Sequence, residues 1–144
     1  MSAVALFTWM GTVLAGLVLL IVWLMEYDRE FQAGTHTRLP VPVISTHALL
    51  GVGGLLVWAF YLVTDEERLA MASAADLVIV AVLGLTMAVR WLQVYRQYAK
   101  PGLALNRLLS VPPERHFPRP VIVIHGALAF VTIGLVAFSA FFSN

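Results

Sequence analysis

The chain predicts an all-α fold, a four-helix transmembrane bundle running up, down, up and down, and three observations predict it. Of its 144 residues, 60% are hydrophobic and 12% charged, with a mean hydropathy of +0.87, a balance typical of integral membrane proteins. Four apolar stretches, about residues 3–25, 41–63, 75–95 and 120–142, reach the ~20 residues a helix needs to cross ~30 Å of hydrocarbon. Lipid cannot satisfy the backbone groups of an open sheet edge, so the stretches read as helices. Residues 1–144 read as a single integral membrane domain.

The first span follows Met1-Ser2-Ala3-Val4-Ala5, which lacks the basic start of a cleavable signal, so it is expected to remain in the protein. The second and fourth spans open on prolines, at Pro40 and Pro42 and at Pro118 and Pro120, residues suited to a first helical turn. The loop before the fourth span carries Arg96, Lys100, Arg107 and Arg115, flanked by Arg90 and Arg119. The loop after the second holds Asp65, Glu66 and Glu67 with Arg68. Positive loops favour the cytoplasm, which predicts a multi-pass cell-membrane protein with both termini outside.

The two halves repeat. Pro40-Val41-Pro42-Val43-Ile44-Ser45-Thr46-His47 matches Pro118-Arg119-Pro120-Val121-Ile122-Val123-Ile124-His125, and Leu50 and Ala59-Phe60 match Leu128 and Ala137-Phe138. Gly16 and Trp23-Leu24-Met25-Glu26-Tyr27 align with Gly84 and Trp91-Leu92-Gln93-Val94-Tyr95 at an offset of 68. Duplicated two-helix units, about residues 1–65 and 74–144, explain the pattern, related by an axis along the membrane normal.

His47 and His125 are the candidate site. An ionisable ring within a span is costly, and two at equivalent depth suggest a ligand-binding pair. Spans two and four are expected on a bundle diagonal of ~11–14 Å, which suits two imidazoles reaching one iron porphyrin and is too wide for the rings to touch. Gly51 and Gly54 share the face of His47, and Ala129 and Thr132 share that of His125. These small residues predict a slot for a planar group, which Gly16 and Gly84 would widen. The competing reading makes them close-packing positions and the histidines interhelical hydrogen-bonding groups.

His47, His125 and the small-residue spacing resemble a four-helix b-type cytochrome, such as the ascorbate-reducing transmembrane cytochromes or the cytochrome b of respiratory bc complexes. The resemblance implies haem b, with iron ligated by His47 and His125 and glycines lining the pocket. Relatives commonly carry two histidines per ligating helix and two haems; one per helix here implies a single haem. Arg38 and Arg119, each just upstream of a ligating helix, are the preferred propionate partners, with Arg90, Arg115, Trp91 and Tyr95 at similar depth. Electron transfer between a cytoplasmic protein partner and membrane quinone would follow. The alternative is a cofactor-free accessory or scaffold subunit of a larger membrane complex.

Other classes find little support. No cysteine is present, so thiolate-held clusters and covalently attached haem are excluded. A net charge of +1 without a basic patch gives no nucleic-acid signal. No nucleophile–base pair, phosphate loop or paired carboxylates appear. His36 and His116 read as solvated loop histidines, and Glu26 and Asp76 as helix-end residues. Leu103, Leu105, Leu108 and Leu109 with Arg107 predict a short interfacial helix, begun by Pro101 and stopped by Pro112-Pro113.

Overall fold

A computed structural model describes residues 1–32, 37–98 and 112–142, with the backbone alone at 29–32 and 98. It contains four long helices: α1 (Ser2–Gln32), α2 (Val41–Thr64), α3 (Glu67–Tyr98) and α4 (Arg119–Phe142), with a one-turn 3-10 helix at Pro113–His116. All four are long and apolar enough to cross a membrane. His36, Lys100, Arg107 and the segment expected as an interfacial helix lie outside the described residues.

The prolines act as helix openers. Pro40 sits in extended conformation, and its carbonyl accepts from the Val43 and Ile44 amides at 2.9 and 3.2 Å. Pro118 does the same for Val121 and Ile122 at 3.0 and 3.2 Å. At the other end of α2, Asp65 turns left-handed (φ 57°) and donates its N–H to the Tyr61 carbonyl at 2.8 Å. That single residue ends the helix, the role glycine usually fills. The chain then re-enters a helix at Glu67, eight residues before the apolar stretch begins. An acidic first turn suits the positive end of the helix dipole, so polarity marks where hydrocarbon could begin and not where the helix does.

The bundle is antiparallel between neighbours. α1 packs chiefly on α4 and α2 chiefly on α3, and the pairs meet through α3–α4 and α1–α2; α2 and α4 stand across from one another. Near the chain termini, Ala5, Trp9, Trp58, Ala70, Leu77 and Val136 form one buried cluster. At the opposite end, which carries the arginines, Trp23, Leu39 and Ile44 form a second, with Leu20, Met87 and Phe117 against it. Elsewhere the surface is apolar: Phe7, Leu49, Val63 and Phe130 are 70, 74, 84 and 80% exposed. Such an exterior suits lipid contact and would be a liability in water.

Candidate functional site

Between the two apolar clusters runs a polar layer, and it contains both histidines. His47 reaches from α2 to α3, where its Nδ1 lies 3.0 Å from the Val80 carbonyl oxygen. His125 reaches from α4 to α1, where its Nδ1 lies 2.9 Å from the Thr12 carbonyl oxygen. A carbonyl only accepts, so each Nδ1 carries the hydrogen, and in the neutral ring Nε2 keeps its lone pair. The two ring centres are 6.1 Å apart, with planes inclined at 66°.

Glycines make these bonds possible. The Thr12 and Val80 carbonyls belong to helical turns, so their second lone pairs are what the imidazoles reach. A side chain four residues on normally shades such a carbonyl. Here those positions are Gly16 and Gly84. A methyl group built on Gly16 would stand 2.9 Å from His125 Cε1, and one on Gly84 would stand 3.0 Å from His47 Cε1. The two glycines expected to widen a slot are therefore filled by the imidazoles themselves.

The residues expected to line the slot are divided. Gly54 lies against the Trp9 indole and the Asp76 carboxyl group, so that stretch of the His47 face is occupied. Gly51 has open space where a side chain would be, and its carbonyl accepts from Trp9 Nε1 at 3.0 Å. Thr132 is buried and its hydroxyl meets that of Thr12 at 3.3 Å. Thr12 already donates to the Thr8 carbonyl at 2.9 Å, so Thr132 is the donor. Ala129 is half-buried on α4 one turn from His125. Asp76, expected at a helix end, instead stands nine residues inside α3, because that helix starts early; its Oδ2 is buried without a hydrogen-bond partner.

The arginine end is organised by Glu114, a residue the sequence reading passed over. It is fully buried, and its two carboxyl oxygens accept from the Arg38 amide at 2.7 Å and the Thr37 hydroxyl at 3.0 Å. Trp23 Nε1 in turn donates to Thr37 Oγ1 at 3.2 Å. One carboxyl group thus joins the segment before α2, the 3-10 turn before α4, and α1. Pro112 and Pro113, which directly precede it and are themselves buried, were the available signal.

The arginines proposed for propionates have other partners here. Arg38 donates to Gln97 Oε1 at 2.8 Å, and Arg90 to the Arg38 carbonyl at 3.3 Å. Arg119 hydrogen-bonds the Tyr95 hydroxyl and lies 4.3 Å from that ring centre, with Arg115 at 4.8 Å. Trp91 stacks on Tyr95 at 5.5 Å, and its buried Nε1 has no acceptor. His116 is exposed, with Nδ1 3.7 Å from Glu26 Oε2. Among the described residues no group of three or more metal-ligating side chains occurs.

Together these features define a four-helix bundle of membrane-spanning dimensions with a central histidine pair. No protein-family model, curated protein or solved structure matches the chain.

Proposed function

We propose that the chain is a small multi-pass membrane protein in which His47 and His125 would hold the iron of one haem b. The carrying observation is the pair itself: two imidazoles from diagonal helices, 6.1 Å apart, each with Nδ1 spent on a backbone carbonyl. Metal-bound histidines almost always donate their other ring N–H in this way, which fixes the tautomer and aims Nε2 at the metal. Metal–imidazole bonds of about 2.0–2.1 Å would put the centres of two rings sharing one ion about 6 Å apart, close to the separation here.

The remaining residues say which way a planar group would extend. Trp9 and Asp76 occupy the Gly54 side. At the arginine end, Trp91 has a buried N–H in need of an acceptor, and Arg38 and Arg90 have no carboxylate within 4.0 Å among the described residues. Propionates belong there. When bound, such a group exchanges single electrons, and the protein's part is to supply the two ligands, a dry surround and a cationic rim. Exchange between a cytoplasmic protein and membrane quinone is the role in keeping with that chemistry, with both chain termini outside.

Duplication of a two-helix unit is part of this reading. The offset of 68 that aligns Gly16 with Gly84 also aligns Thr12 with Val80, the two residues whose carbonyls hold the imidazoles. Equivalent residues making equivalent bonds support descent from one unit.

A second reading is favoured by one observation: the imidazoles already fill the spaces over Gly16 and Gly84. In a cofactor-free accessory subunit they would be interhelical ties and nothing more. Absorbance separates the two. Protein purified from haem-replete cells is expected to show a Soret band and, after dithionite, a sharp alpha band, both lost in His47→Ala and His125→Ala. A colourless wild-type preparation that also fails to take up added haemin leaves the accessory reading.

A further inference from the structure

The strongest unassigned feature lies outside the histidine layer, where Arg115 and Arg119 meet on one aromatic ring. We propose that these two arginines, with Tyr95, form a binding site for a phosphate-bearing anion, the headgroup of an anionic phospholipid. The inference rests on the membrane reading and is independent of haem.

Both guanidinium carbons lie within 5 Å of the Tyr95 ring centre, at 4.3 and 4.8 Å. Two like charges are therefore held no more than about 9 Å apart, an arrangement that repels itself unless an anion joins it. Cation–π attraction and the Tyr95 hydroxyl orient the arginines without cancelling their charge. Among the described residues no carboxylate lies within 4.0 Å of either. Glu114 is the acid next in sequence, and both its oxygens are turned inward to Thr37 and Arg38. Neither guanidinium is ion-paired among the described residues.

Position favours a lipid over free phosphate. Arg115 is fixed by the 3-10 turn, where its amide donates to the Pro112 carbonyl at 2.9 Å, and Arg119 opens α4. Helical spacing places Leu92 on the face of Tyr95 and Val123 on that of Arg119. Leu92 is exposed, and Val123 is strongly so at 69%. A phosphate at the arginines would thus sit directly above apolar surface suited to acyl chains. Stacked Trp91 and Tyr95 mark the level at which amphipathic rings meet headgroups. Planar guanidinium forks match phosphate oxygens, and basic pockets between spans on the cytoplasmic side are known lipid-headgroup sites.

The test uses the full-length protein in neutral detergent, with the thermal midpoint followed as lipid is titrated in. Phosphatidylglycerol is expected to reach half its stabilising effect at a concentration at least about tenfold below that of phosphatidylcholine. Arg115→Gln with Arg119→Gln is expected to bring the two lipids within about twofold, while Arg68→Gln in the opposite loop keeps the preference. If the double variant does not fold, each single variant reads the same ratio and is expected to lower it about threefold or more. Equal response to the two lipids, or an undiminished preference in the arginine variants, overturns the proposal. So does inorganic phosphate that reproduces the whole effect without lipid, since the site would then serve a soluble anion.

Discussion

Replacing Gly16 or Gly84 by alanine adds one methyl group where an imidazole already lies. On an unobstructed helix the same change should stabilise, by about 0.5–1 kcal/mol, because alanine loses less backbone freedom than glycine. At Gly16 the new carbon would stand 2.9 Å from His125 Cε1, and at Gly84 it would stand 3.0 Å from His47 Cε1. Ordinary contact begins near 3.4 Å, so each ring or helix must yield by about 0.4–0.5 Å. Should the ring yield, it leaves a carbonyl at 2.9 or 3.0 Å and forfeits a hydrogen bond with a net value of about 0.5–1.5 kcal/mol. Should the helices spread, the strain is that of overpacking, about 1–3 kcal/mol. After the helix gain is subtracted, the first route nets between roughly no change and a loss of about 1 kcal/mol, and the second a loss of up to about 2.5 kcal/mol. Gly53, Gly126 and Gly134 provide matched controls, since nothing lies within 4 Å of a carbon added there. Thermal midpoints of the five variants in one detergent make the comparison. The two imidazole-facing variants are expected below wild type and the three controls at or above it. Gly16→Ala and Gly84→Ala melting with the controls would refute the account of the glycines as seats for the rings.

Two further outcomes follow from the loops. Glu114→Ala removes both acceptors from a fully buried position and leaves the Arg38 amide and Thr37 hydroxyl short of partners; a loss of about 2–3 kcal/mol is expected, read as a lower thermal midpoint and faster proteolysis of the loops, with an unchanged midpoint counting against the joint. Asp65→Gly relieves a left-handed residue (φ 57°) at the end of α2 and is expected to raise stability by about 0.5–1 kcal/mol, measured in the same melt; a decrease would mean that the aspartate side chain itself holds the turn.

The helices were legible because lipid imposes length and polarity together. Proline positions predicted where α2 and α4 begin, since the ring both fits a first turn and interrupts what precedes it. Charged residues misled at α3: the polar segment 67–74 read as loop, yet a helix satisfies its own backbone whether or not hydrocarbon surrounds it. That early start carries Asp76 into the bundle. The histidine pairing was visible in the repeat. The function of Gly16 and Gly84 was not, because composition distinguishes neither a wide slot from a bared carbonyl nor one helix rotation from another. Thr12 and Val80 act through main-chain oxygens, which leave no trace in residue type. Glu114 stayed hidden for a related reason: a single acid in a basic loop looks solvated until its neighbours' amides are seen to surround it.

Each imidazole is held by a helix from the opposite half of the chain. His47 bonds to α3, and His125 returns to α1. During synthesis the first hairpin therefore forms with its histidine lacking the carbonyl that will seat it, and the earliest helix waits for the latest. Neither hairpin made alone could present a properly seated ring; two fragments divided at residues 65–66 would have to find each other first. Assembly of the centre is the final act of folding, which ties the quality of the site to the integrity of the entire polypeptide.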